Sequence, residues 1–197
     1  MRSERRRGSR LAVIAPLAVA AIAIALIVFS PYERHPELGY RAMACTVDID
    51  AAPDSLFRYL GNSANAAHWS VFPHHISLLN ADSVPDGAPG SRRRSFCKKD
   101  ETGKRWDETI IEAVPGKKRK LTLYDFVGFA ASTNSLTTEQ LYAPLDGGSR
   151  CRLTFTVFFN VPPSWRESVQ LHFAAYQIKG IFLRNMANIK RLVETGA

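Results

Sequence analysis

Residues 150–194 read RCRLTFTVFFNVPPSWRESVQLHFAAYQIKGIFLRNMANIKRLVE, a strand pattern that runs directly into a helix pattern. From Arg150 to Asn160 the residues Cys151, Leu153, Phe155, Val157 and Phe159 alternate with Arg152, Thr154 and Thr156. That period of two predicts a strand with one face in a core. Val161-Pro162-Pro163 then stops the strand, and Ser164 with Glu167 three residues on forms a capping box that opens a long helix. Trp165, Val169, Phe173 and Tyr176 recur at helical spacing. Ile178, Ile181, Phe182, Met186, Ile189, Leu192 and Val193 continue a broad apolar stripe, which Gly180 interrupts.

Working back from this stretch, the chain reads as a series of short strands. Arg105 to Val114 and Lys120 to Phe126 are bounded by Asp100-Glu101-Thr102-Gly103 and Pro115-Gly116. Asn134 to Tyr142 ends at Asp146-Gly147-Gly148; Ser91 to Lys98 follows the Pro85–Gly90 turns, and Ile76 to Leu79 precedes them. This spacing predicts an antiparallel meander. Met43, Cys45, Val47 and Ile49 alternate in a further strand that begins at Tyr40. Pro53 then opens a short helix with Leu56, Phe57 and Leu60 as its stripe, and a second short helix runs from Ala64 to Trp69. The simplest way to bury all these faces is an α+β fold, with a curved antiparallel sheet of about seven strands wrapped around the long C-terminal helix.

The N-terminus carries a different signal. Leu11 to Phe29 is a nineteen-residue run without a charge, preceded by Arg2, Arg5, Arg6, Arg7 and Arg10. At about 1.5 Å per residue it would reach roughly 28 Å, near a bilayer's hydrocarbon thickness. The arginines place the N-terminus in the cytoplasm and the domain on the periplasmic or extracellular side. A signal peptide cut after Ala23-Ile24-Ala25 is the alternative, but Leu26, Ile27, Val28 and Phe29 carry the run past that site. The organisation expected is therefore a basic cytoplasmic N-terminus (1–10), a transmembrane anchor (11–29), a linker (30–39) and one ligand-binding domain (40–197).

Of the net charge of +8, residues 1–29 hold five Arg against one Glu, or +4, which leaves +4 on the exported part. Such a mildly basic domain gives no reason to expect a nucleic-acid partner. The basic runs Arg92-Arg93-Arg94 and Lys117-Lys118-Arg119-Lys120 read as solubilising strand ends, with anionic headgroups as the alternative contact. Cys45, Cys97 and Cys151 are widely spaced and read as free thiols; no metal site or cofactor is expected.

Three segments resemble the START-like (SRPBCC) superfamily, and within it the polyketide cyclase/dehydrase and lipid transport group. They are Val47 to Phe57 (VDIDAAPDSLF), Asn65 to Ser70 (NAAHWS) and Asn188 to Glu194 (NIKRLVE). The resemblance implies a helix-grip fold whose sheet and last helix enclose a cavity for an apolar ligand such as a lipid or quinone. Aromatic side chains with a few polar groups are the usual lining of such a site. On that basis Trp69, Tyr124, Phe126, Phe155, Phe173 and Tyr176 are the expected ligand-binding residues, with the Val127–Ser132 loop at the mouth.

Catalytic chemistry has thin support. No G-x-S-x-G, H-E-x-x-H or phosphate-binding glycine loop is present. His172 with Tyr176 one turn later, and Glu139, are the candidates for acid or base work. His74 and His75 are adjacent, so on a strand they would point to opposite faces. Three functions are in competition: a membrane-anchored domain that binds a hydrophobic small molecule, an accessory subunit that packs its alanine-rich span against other integral-membrane subunits, and a cyclase- or dehydratase-like enzyme on an apolar substrate. The first accounts for the most features.

Overall fold

The computed structural model describes residues 16–34, 41–129, 135–159 and 164–196. The basic N-terminus, the first five residues of the apolar run, the second half of the expected linker (35–39) and the end of the expected mouth loop (130–132) lie outside the described residues. Helix α1 spans 16–28, and its Leu17, Val19, Ile22, Ile24 and Val28 are each at least 60% exposed. Among the described residues no helix is long and apolar enough to cross a membrane.

The rest is a strand–helix–sheet–helix order: β1 (Glu33–Arg34), β2 (Arg41–Ile49), α2 (Pro53–Gly61), a 3-10 turn (Ser63–Asn65), α3 (Ala66–Trp69), β3 (His75–Leu78), β4 (Arg92–Phe96), β5 (Arg105–Val114), β6 (Lys118–Val127), β7 (Ser135–Leu145), β8 (Arg150–Phe159) and α4 (Trp165–Thr195). The sheet runs β1-β2-β8-β7-β6-β5-β4-β3 and every pairing is antiparallel. Seven of these strands match the expected ones to within a few residues.

The eighth, β1, is two residues inside the segment expected to be a linker. Glu33 pairs with Ala42, and the neighbouring Tyr32 is only 2% exposed. Its ring meets Phe159 edge-on at 4.8 Å and His172 at 5.0 Å. The domain's packing therefore begins at Tyr32 rather than at Tyr40, because one aromatic side chain outweighs the prolines around it.

Register fixes the two faces of the sheet. Cys45 pairs with Phe155, Phe155 with Gln140 and Gln140 with Arg119, so these four side chains share the inner face. Met43, Cys45, Ile49, Cys151, Leu153, Phe155, Val157 and Phe159 form the core there with Ala175, Met186 and Ile189 of α4 and Leu56, Phe57 and Leu60 of α2. Ser164 caps α4 by accepting from the Glu167 N–H at 3.3 Å. The thiols of Cys45 and Cys151 are free and buried, and burial pushes that of Cys151 up to about 11.

Candidate functional site

Helix α4 lies along β2 and is tied to α3 at its far half. Asn185 accepts from the Val71 N–H at 2.8 Å, and the Asn188 amide donates to the Trp69 carbonyl at 3.2 Å. The helix therefore covers one side of the inner face. The inner positions of β6 and β7, Leu123, Leu136 and Thr138, stay half-buried. This concave strip is the candidate site.

Two aromatic groups border it. Trp69 meets Phe155 at 6.3 Å between centroids, and Phe155 meets Phe182 of α4 at 5.6 Å. Phe72 stacks on Trp106 at 5.3 Å and 23°, and both lie beside Phe129, which in turn touches Phe126 at 5.5 Å. The indole N–H of Trp69 is buried with no acceptor among the described residues. Further along the inner face lies a polar floor. Arg93 is 4% exposed, donates to the Gly61 carbonyl at 2.5 Å and pairs with Asp86 at 2.6 Å and Glu108 at 3.7 Å. Burial pushes the Glu108 carboxyl up, against the opposing pull of the Arg93 charge.

Of the six expected ligand-binding residues, Trp69, Phe155 and Phe126 border the concave strip. Tyr124 does not. It pairs with Asp107 on the opposite face, and its hydroxyl bonds to Thr109 at 3.1 Å. Asp125, at φ +52, breaks the alternation and ion-pairs with Arg105 at 3.1 Å, so Tyr124 and Phe126 turn to opposite sides despite their even spacing. Phe173 is 39% exposed. Tyr176 is half-buried, one turn beyond His172, on the part of α4 nearest the β1–β2 edge.

The three catalytic candidates do not converge. Glu139 lies on the outer face, 3.7 Å from Lys120. His172 is buried against Tyr32, and its Nδ1 has no partner among the described residues. Burial, with the Arg41 charge behind it, pulls the His172 pKa below the ordinary histidine value. The folded state thus resists a proton that the unfolded chain accepts, so this contribution is full above about pH 6.5 and is lost as the pH falls below it. In acid titrations of stability, His172→Gln is expected to flatten the loss below pH 6.5; an unchanged profile would show the imidazole to be solvated. His74 and His75 also depart from expectation. His74 precedes β3, which leaves the two Nδ1 atoms 3.4 Å apart, and His75 Nε2 lies 3.1 Å from Glu101. Among the described residues no group of three or more His, Cys, Asp or Glu could hold a metal ion.

Sequence reasoning missed Phe72, Trp106 and Phe129 as wall residues, and Arg93, Glu108 and Arg119 as inner-face charges. For Trp106 a signal existed: Trp106, Glu108 and Ile110 keep a period of two. The neighbouring Ile111 hid it, and a register shift between Ile110 and Glu112 explains why Ile111 is 50% exposed.

Known structures share this architecture. Protein MLL2253 from Mesorhizobium loti is 15% identical, with a TM-score of 0.58 over 80% of this chain and 99% of its own. Norcoclaurine synthase from Thalictrum flavum, solved with dopamine and hydroxybenzaldehyde, is 12% identical, with a TM-score of 0.58 over 79% of this chain and 87% of its own. DynU16, from the dynemicin biosynthetic locus, is 17% identical with a TM-score of 0.56; the match covers 79% of this chain but only 48% of DynU16. At such identities the likeness establishes the fold alone. No curated protein matches the chain. At the level of sequence families, residues 42–194 match "Polyketide cyclase / dehydrase and lipid transport", and with three quarters of its length inside that match the chain belongs to this family.

Proposed function

We propose that this protein binds a hydrophobic small molecule, of lipid or quinone type, on the concave strip between β5–β7 and α4, and does so while anchored in a membrane by Leu11–Phe29. The observation that carries the binding reading is the half-buried inner face at Leu123, Leu136 and Thr138, bordered by the Trp69–Phe155–Phe182 and Phe72–Trp106–Phe129–Phe126 groups. A sheet face that its own helix leaves partly uncovered, with aromatic borders and few polar groups, suits an apolar ligand. Family membership supports the same class of ligand. The anchor is supported by the uncharged run, the preceding arginines and the exposed apolar side chains of α1, which water would not favour. The N-terminus is then cytoplasmic and the domain non-cytoplasmic.

Native mass spectrometry of the full chain, gently solubilised from its own membrane, tests the reading. A discrete added mass of lipid or quinone size, lost on denaturation, is expected. Thr138→Trp, which fills the strip from a half-buried position, is expected to abolish the added mass while the circular dichroism spectrum stays native. A clean apo mass for the wild type would sink the proposal.

A further inference from the structure

We propose that the cleft between the last turn of α2 and the 84–88 turn is a binding site for a small free oxyanion, a carboxylate or phosphate group, received by Arg119 with Arg58 at the rim. The cleft encloses about 440 Å³ and is lined by Phe57, Arg58, Gly61, Asn62, Asp86, Gly87 and Arg119. It lies at the α2 end of the domain, and the inference does not depend on the apolar-ligand reading.

Arg119 is 2% exposed and makes no ion pair among the described residues. Its Nη1 donates to Gln140 Oε1 and to the Tyr142 hydroxyl, both at 3.2 Å, and its Nη2 donates to the Phe57 carbonyl at 2.9 Å. The guanidinium also lies 4.0 Å from the centre of the Phe57 ring. A guanidinium has five N–H donors. The Nε donor has no partner among the described residues, and Nη2 has a second N–H beyond the one given to Phe57. Nε and Nη2 share one edge of the guanidinium, and that edge is the fork that fits a carboxylate or phosphate in two parallel hydrogen bonds. All its hydrogen-bond partners among the described residues are neutral, and the nearby Asp86 charge acts on it without a direct ion pair, so this buried cation is only partly compensated.

The surroundings favour an anion as that counterion. Arg58, Arg93 and Arg119 gather here against Asp86 and Glu108. Asp86 is already engaged, with one oxygen on Arg93 and the other accepting from the Ser63 N–H at 2.7 Å. Carbonyls in the second half of α2 are likewise engaged, Phe57 by Arg119 and Gly61 by Arg93, and these cations offset part of the negative field of the helix end. Glycine permits the close approach of the groups around Arg119. A Cβ at Gly61 would collide with Arg119 Nη2, and one at Gly87 (φ +83) would meet the Gly61 carbonyl at 3.0 Å.

The test is isothermal titration of the full chain in uncharged detergent micelles with inorganic phosphate and, separately, acetate, at constant ionic strength. Saturable single-site binding is expected. Arg58→Gln, on an exposed side chain, should weaken it severalfold without disturbing the fold. Arg119→Lys should weaken it by about tenfold or more, because a bidentate fork becomes a point charge. Should Arg119→Lys fail to fold, Arg58→Gln decides alone. Absence of saturable binding of both anions, or an unchanged affinity in Arg58→Gln, overturns the site. A third arm adds phosphatidylglycerol to the micelles without free phosphate; protection of the site by that lipid alone would replace the free oxyanion with a headgroup and overturn the proposal as stated.

Discussion

Arg93→Ala is expected to destabilise the folded domain by about 3–5 kcal/mol, the usual range when one partner is deleted from a buried charge cluster. Arg93 is the hinge of the polar floor. It holds the Gly61 carbonyl at the end of α2, Asp86 in the following turn and Glu108 on β5. Without it, Glu108 remains nine-tenths buried with no cation beside it and must take a proton to stay inside. That response has a sign that can be checked. The Glu108 carboxyl is already pushed up, so its protonated form is favoured in the folded state. Its contribution is therefore present at low pH and is lost as the pH rises through the raised value. The Arg93→Ala variant should consequently lose most stability at neutral pH and least in mild acid. The paired replacement Arg93→Met with Glu108→Leu should recover much of the loss, since it removes the stranded charge along with its partner. Chemical denaturation of the three proteins at two pH values is the measurement. A single variant that loses under about 1 kcal/mol would mean that Glu108 is solvated and the floor is wet.

Arg93 also shows where sequence reading ends. The periods of the strands and of α4 were legible because they are local: β5 is expected and observed at Arg105–Val114, and α4 starts one residue after its expected cap. Facing was harder to read. Arg92-Arg93-Arg94 and Lys117-Lys118-Arg119-Lys120 look like uniform basic surface, yet strand alternation sends Arg93 and Arg119 inward. Arg94 pairs with Asp107, Lys118 with Glu112 and Lys120 with Glu139. A period of two predicts facing for apolar residues but not for charged ones, because burying an arginine is costly without partners, and those partners come from other strands and from α2. Tyr124 failed for another reason. The bulge at Asp125 shifts the alternation by one, and a non-glycine residue at positive φ leaves no mark in the sequence. The candidate site was legible to the extent of its core-side ring, Phe155, its helix ring, Trp69, and Phe126 at the end of β6. Its far wall depends on Phe72 and Phe129, which sit in connecting segments where no period exists.

Tyr32→Ala is the other substitution with a large expected effect, about 3–5 kcal/mol, the range for emptying a buried aromatic site. The ring is 2% exposed, lies edge-on to Phe159 and His172, and carries the Arg41 guanidinium 5.1 Å from its centre. A second bond closes the same corner, from Arg41 Nη1 to the Tyr32 carbonyl at 3.3 Å. The hydroxyl, by contrast, is buried with no hydrogen-bond partner among the described residues. Tyr32→Phe should therefore hold stability within about 1 kcal/mol or raise it slightly, since it removes a desolvated polar group and keeps the packing. The pair of variants separates ring packing from a polar role, and equal losses in both would contradict the packing account. The consequence reaches the proposed function. A ten-residue coil after Phe29 would allow a reach on the order of 17 Å. With Tyr32 locked into the fold, only Ser30 and Pro31 separate it from Phe29, three Cα steps and a span of at most about 11 Å. If the apolar run is an anchor, the domain must sit directly against the bilayer surface, where a ligand can pass from the lipid to the concave strip without crossing much water. Thermal unfolding of Tyr32→Ala and Tyr32→Phe in the full chain, read by circular dichroism, tests the link on which that geometry depends.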